Sequence, residues 1–144
     1  MTLEGEYEPS PWDWVSKQVE EFEASGGKEG NELQGKPIVV LSTTGRKTAK
    51  VRKSALMRVE HDGEYAVVAS MGGAPQHPVW YLNLLDDPHV TLQDGDKVMD
   101  LRARTATPDE KKVWWPICVE AWPAYDEYQT KTTRDIPVVL FDKA

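Results

Sequence analysis

The stretch SALMRVEHDGEYAVVAS (residues 54–70) decides the fold. Two runs of β-branched and apolar residues flank Asp62-Gly63, a dipeptide that accepts the positive φ angles of a tight hairpin turn. A second stretch, HVTLQDGDKVMDLRART (residues 89–105), repeats this grammar around Asp94-Gly95-Asp96. Upstream, IVVLS (38–42) reads as a buried strand, and downstream IPVVLF (136–141) closes the chain as another. Strands joined by hairpins with helices added at intervals give an α+β domain built on an antiparallel sheet, closed or split as a barrel.

The helices have their own signals. Ser10-Pro11 offers an N-cap and a first-turn proline, and Trp12, Val15, Val19 and Phe22 follow at helical spacing. Gly26-Gly27 ends that helix, and GGKEGNELQGK (26–36) reads as a mobile linker. Residues 1–36 are therefore expected as an N-terminal helix and flexible linker, and 37–144 as the barrel domain. Residues 78–85 suit a short helix closed by Asp86-Asp87-Pro88. Thr107, Pro108 and Glu110 make a capping box for a further helix, which Pro116 and Pro123 should kink or divide.

With 144 residues, the chain can bury a core without disulfide or metal support. Its net charge of -7 argues against general affinity for nucleic acid or anionic membrane. The single cysteine, Cys118, rules out an internal disulfide framework, so a reducing cytoplasm is the expected compartment. The stretch MTLEGEYEPSPWDW has no apolar core and is not expected to act as a signal peptide. His61, His77 and His89 lack the spacing of a metal site, and none is expected.

Against this acidic background, TTGRKTAKVRK (43–53) gathers Arg46, Lys47, Lys50, Arg52 and Lys53 in one loop. Two readings stand. Such a loop can be a solvated hairpin tip that discourages edge pairing. Alternatively, Thr hydroxyls, the glycine and forked arginines form a polyanion clamp. The set of six tryptophans and five tyrosines against two phenylalanines adds rings with polar edges, suited to a hydrogen-bonding ligand.

Three blocks, LSTTGRKTAKVRKSALMRV (41–59), VVASMGGAPQHPVWYLNLLDDPHVTLQ (67–93) and WPAYDEYQTKTTRDIPVVL (122–140), together resemble the deazaflavin-dependent nitroreductase family. The resemblance implies a split β-barrel and the cofactor coenzyme F420, an 8-hydroxy-5-deazaflavin with a phosphate and a polyglutamate tail. It places Arg46, Lys47, Thr48, Arg52 and Lys53 beside phosphate and tail, with Lys50 adjacent. It places Ser70, Met71, Gly72, Gly73 and Ala74 at the deazaflavin ring, and Trp80 and Asn83 in the segment enclosing it. Trp122, Tyr125 and Tyr128 match a trio lining the substrate pocket. Tyr125, Tyr128 and Ser70 are the catalytic candidates, as donors to an acceptor that turns anionic. Where relatives carry glycine in GRKTG, this chain has Ala49, poorly suited to a positive φ.

The implied activity is hydride transfer to a small electron-poor acceptor: a quinone, a nitroaromatic or a conjugated enone. A deazaflavin carrier without turnover and a barrel binding flavin mononucleotide (FMN) are the alternatives. Five cations exceed what the single phosphate of FMN requires. Monomer and homodimer both remain open, as does membrane contact at a quinone-bearing surface, which the glutamates beside Trp12 disfavour.

Overall fold

The computed structural model describes residues 6–9 and 13–144. The expected cap at Ser10-Pro11 and the placement of Trp12 lie outside the described residues. Helix α1 (Asp13–Ala24) precedes strands β1 (Glu32–Leu33), β2 (Lys36–Thr44), β3 (Val51–Met57), β4 (Val59–His61) and β5 (Glu64–Val68). Helix α2 (Val79–Asp86), strands β6 (His89–Asp94) and β7 (Lys97–Thr105), helices α3 (Pro108–Ala121) and α4 (Ala124–Thr130) and strand β8 (Val138–Lys143) follow.

Every strand pairing is antiparallel, in the order β1-β2-β6-β7-β8-β5-β4, with β3 on the other side of β2. Residues 54–61, expected as one strand, are therefore divided between β3 and β4. The first pairs with β2 and the second with β5, and the switch falls at Arg58, whose amide donates to the Pro37 carbonyl. Two distant sheet edges are thus one continuous piece of chain, so the sheet must curl until its ends meet. This is a split barrel. The Asp62-Gly63 hairpin forms as expected, with φ of 53° and 82° at the two turn residues.

Period-two alternation assigns each strand two jobs. Val39 and Leu41 of β2 point into the barrel with Tyr65, Val67, Val90, Leu92 and Val139. Ile38 and Val40, on the opposite face, pack under Val19 and Phe22 of α1. Burying Phe22 and Val19 completely contributes about 1.5–3 kcal/mol each. On the far side Ala66, Val68, Val138 and Leu140 are covered by Trp114 and Cys118 of α3 and Tyr125 of α4. Tyr81 and Leu84 of α2 plug the barrel core itself.

Helix ends follow the expected chemistry. Gly26 and Gly27 terminate α1 at φ of 64° and 81°, the Gly27 amide donating to Phe22 and the Gly26 amide to Glu23. Residues 27–36 are tied down: Asn31 Nδ2 donates to the Gly27 carbonyl and Gln18 Nε2 to Gly30 and Glu32, while β1 pairs with β2. Pro116 sits inside α3 without ending it, and the division falls at Trp122-Pro123. Trp122 is extended (φ -144°, ψ 93°), as the residue before a proline prefers.

Thr107 and Glu110 make the capping box. The hydrogen bond from Arg104, followed by that from the Thr107 backbone, lowers the Glu110 carboxyl to about 2. A depressed folded pKa contributes stability above the unfolded value and loses it as pH falls towards the folded one. The stability advantage of the natural protein over Glu110→Gln should therefore disappear as pH falls from about 4.5 to about 2. Urea melts at stepped pH test this.

Candidate functional site

The basic loop is the tip of the β2–β3 hairpin, closed where Thr44 pairs with Val51. The Gly45 amide donates to the Lys50 carbonyl, and the Ala49 amide to the Gly45 carbonyl. Gly45 is required here, since a Cβ would lie 2.8 Å from Thr48 Oγ1. Ala49 adopts a φ of 59°, so this turn keeps the left-handed conformation without the glycine that favours it. Ala49→Gly should therefore stabilise the fold by roughly 0.5–1 kcal/mol, raising the thermal midpoint by about 2 °C. Differential scanning calorimetry checks it.

Charge within the loop is unequally committed. Arg52 pairs with Glu8 at 2.6 Å, Lys53 with Glu23 at 2.6 Å, and Lys50 with Glu6 at 3.8 Å. Arg46 and Lys47 are exposed and have no ion-pair partner among the described residues. Among the described residues the five-cation cluster thus narrows to two charges without an ion-pair partner. Thr48, also exposed, caps the turn by accepting from the Lys50 amide.

Asn83 on α2 is 2% exposed, and its Oδ1 accepts from the Arg46 amide at 3.1 Å. Its Nδ2 donates to Thr43 Oγ1 at 3.3 Å. The side chain is thus occupied in anchoring the basic turn to α2. Trp80, one turn earlier, is half-buried and packs on the barrel core with its ring edge-on to Tyr81.

The loop leading into α2 begins at Ser70, 8% exposed. Met71, Gly72 and Gly73 then follow with φ of 46°, 65° and 83°. Gly73 lies so close to α4 that a Cβ would stand 2.6 Å from the Tyr128 carbonyl oxygen. Ala74 turns back to extended backbone, its amide donating to Met71. Loop 70–78, α2, the basic turn and α4 therefore form one connected set.

The aromatic trio is divided. Tyr125 and Tyr128 share α4 with ring centroids 6.2 Å apart, whereas Trp122 precedes the break and reaches Tyr128 Oη through Nε1 at 3.4 Å. Tyr125 is 4% exposed, and burial, with Cys118 and Tyr128 nearby, raises its pKa. It is a core residue first. Trp122 and Tyr128 are half-buried.

Sequence reasoning missed Arg134. Its guanidinium donates to the carbonyls of Ala69, Ser70 and Ala74 and lies 3.1 Å from His77 Nδ1. A cation ahead of the last strand was visible, but nothing in TTRDIPVVL connects it to a loop some sixty residues earlier. A separate cavity of about 280 Å³ lies between the end of α1 and the β6–β7 turn, lined in part by Phe22, Asn31, Arg58 and Asp94. It contains none of the candidate residues, and its Arg58–Asp94 pair is closed by a hydrogen bond from the Tyr65 hydroxyl.

Comparison with known proteins gives the family of the chain. The family model for F420H(2)-dependent quinone reductase matches residues 14–143. An F420H(2)-dependent quinone reductase of Mycobacterium tuberculosis is 32% identical over 126 residues, covering 85% of each chain. A solved F420-H2 dependent reductase superposes with a TM-score of 0.69 at 53% identity, covering 74% of this chain and 94% of its own. A structure described as a domain-swapped dimer gives 0.72 at 49% identity, covering 92% and 100%. Matched along nearly its whole length, the chain belongs to the F420H(2)-dependent quinone reductase family.

Proposed function

We infer that this protein is an oxidoreductase that binds reduced coenzyme F420 and reduces quinones. The family match across residues 14–143 carries this reading. The donor set fits the cofactor's chemistry: Arg46 and Lys47 are exposed, uncommitted cations on a turn whose backbone Asn83 fixes, a suitable grip for a phosphate or carboxylate. Glu6 and Glu8 hold Lys50 and Arg52 as a ligand's carboxylates would, in partly exposed pairs worth about 0–1 kcal/mol. An incoming polyanion can exchange with them.

When bound, the reduced deazaflavin supplies the hydride. The chain's residues orient and enclose. The amides of Gly73 and Ala74 are taken up by the Ser70 and Met71 carbonyls, so loop 70–74 would meet the ring through the Ser70 hydroxyl and its remaining backbone, with Trp80 supporting it from α2. Trp122 and Tyr128 present an aromatic, hydrogen-bonding wall to a planar acceptor. A quinone that has received a hydride carries negative charge on oxygen, and a neutral tyrosine hydroxyl can donate to it.

Geometry favours Tyr128 over Tyr125 as that donor, because Tyr125 is sealed in the core whereas Tyr128 is half-buried. Tyr128→Phe should lower quinone turnover by about 10- to 100-fold, with Tyr125→Phe within about threefold of the natural protein. Steady-state rates at saturating quinone check this, and the reverse order would remove Tyr128 from the role.

Anaerobic mixing of the protein with reduced F420 and a quinone, followed by absorbance, tests the function. Cofactor reoxidation that depends on protein and quinone is expected. Binding without turnover would leave a carrier, and preference for FMN would leave the flavin alternative. Nitroaromatic and enone acceptors belong in the same panel. No helix among the described residues is long and apolar enough to cross a membrane. The domain-swapped relative makes a homodimer the assembly to seek by light scattering.

A further inference from the structure

Arg134 stands between α4 and β8, and the described hydrogen bonds of its side chain all go to one loop. Nε donates to the Ala74 carbonyl at 2.8 Å, Nη1 to Ala69 at 3.1 Å and Nη2 to Ser70 at 2.8 Å. Nη1 also lies 3.1 Å from His77 Nδ1, which accepts if the ring carries its proton on Nε2. No carboxylate pairs with this guanidinium among the described residues. Burial lowers the pKa of Arg134 from the ordinary arginine value, which still leaves the group cationic.

The segment it holds needs holding. Met71, Gly72 and Gly73 sit consecutively at positive φ, and for Met71 that conformation costs about 1–2 kcal/mol. Three carbonyl oxygens drawn to one cation fix the start and end of the strained turn together. They also leave the turn with a full positive charge uncompensated by carboxylate. On the functional reading above, this loop borders the acceptor that hydride transfer makes anionic, so that charge would act at the reacting end of the site, separate from Arg46 and Lys47.

We propose that Arg134 is a positioning residue for quinone reduction: its unpaired guanidinium locks the 69–77 loop in its reactive shape and makes that loop electropositive. The proposal rests on the functional reading above. A half-buried cation whose side chain is bound only to carbonyls and a histidine is an unusual device for mere stability, where a neutral amide could cap the same oxygens without partly desolvating a charge.

Arg134→Gln and Arg134→Lys test it in the full-length chain. In Arg134→Gln, kcat for quinone should fall at least 30-fold while the dissociation constant for reduced F420, measured by fluorescence titration, stays within threefold. Arg134→Lys keeps the charge but cannot span four acceptors, so it should lie between that variant and the natural protein. His77 is lowered by burial and by Arg134 and faces Tyr81 with ring centroids 4.9 Å apart. Its NMR titration in cofactor-free protein should move up in Arg134→Gln.

A kcat within threefold of the natural protein in both variants would overturn the proposal. So would a loss of turnover matched by loss of cofactor binding, or an unmoved His77. If the natural protein itself fails to reduce quinones, the functional reading fails instead, and the His77 titration still decides whether the guanidinium braces the loop.

Discussion

Gly73→Ala should unfold roughly 4 to 20 °C below the natural protein and lose most of its quinone reductase activity. Two costs add. A φ of 83° disfavours any Cβ by about 1–2 kcal/mol. The new methyl would also stand 2.6 Å from the Tyr128 carbonyl oxygen and 3.0 Å from Lys131 Cβ. The nearest atom is backbone, so α4 and the Met71–Gly73 turn must separate, an overpacking cost of about 1–3 kcal/mol. At about 2–4 °C per kcal/mol the sum gives the stated shift. Gly72→Ala is the control, with φ of 65° and nothing within 4 Å of its Cβ, so it carries only the first cost. Thermal melts and turnover of the two variants side by side isolate the close approach. Equal behaviour would mean that the contact between loop and helix does not matter.

Arg46→Ala/Lys47→Ala should weaken binding of reduced F420 by about 100-fold with little change in melting temperature. Charge-assisted hydrogen bonds contribute about 1.5–3 kcal/mol each, and two of them, discounted for exposure, give about 3 kcal/mol. The fold should tolerate the change because neither side chain is buried or ion-paired among the described residues. Arg52→Ala/Lys53→Ala should cost less affinity, since Glu8 and Glu23 already compete for those cations. Isothermal titration of both double variants at one ionic strength checks the ranking. A larger loss in the second pair would move the cofactor's anionic end along β3.

The parts of this structure readable from sequence are those set by neighbours in the chain. Asp62-Gly63 makes its turn because two adjacent residues accept positive φ, and Thr107 finds Glu110 three residues away. The division of residues 51–61 into two strands was not readable, because it arises when the closing barrel gives one segment two partners. Of the two prolines expected to kink or divide the helix, Pro123 divides it after Trp122, and Pro116 sits within α3 without ending it. Within the candidate site, residue types in the basic loop left a solvated hairpin tip and a polyanion clamp both open, and their division into paired and unpaired charges depends on Glu6, Glu8 and Glu23 arriving from elsewhere. Tyr125 and Tyr128 were equivalent by spacing, and only burial separates them. Arg134 was silent for the same reason as the barrel closure, since its partners are remote in sequence.

Binding of reduced F420 to the natural protein as salt is raised from roughly 50 to roughly 500 mM measures the electrostatic grip most directly. Affinity falling at least tenfold over that range, and falling far less in Arg46→Ala/Lys47→Ala, is the predicted result. Affinity indifferent to salt, or the same salt dependence in both proteins, would contradict it.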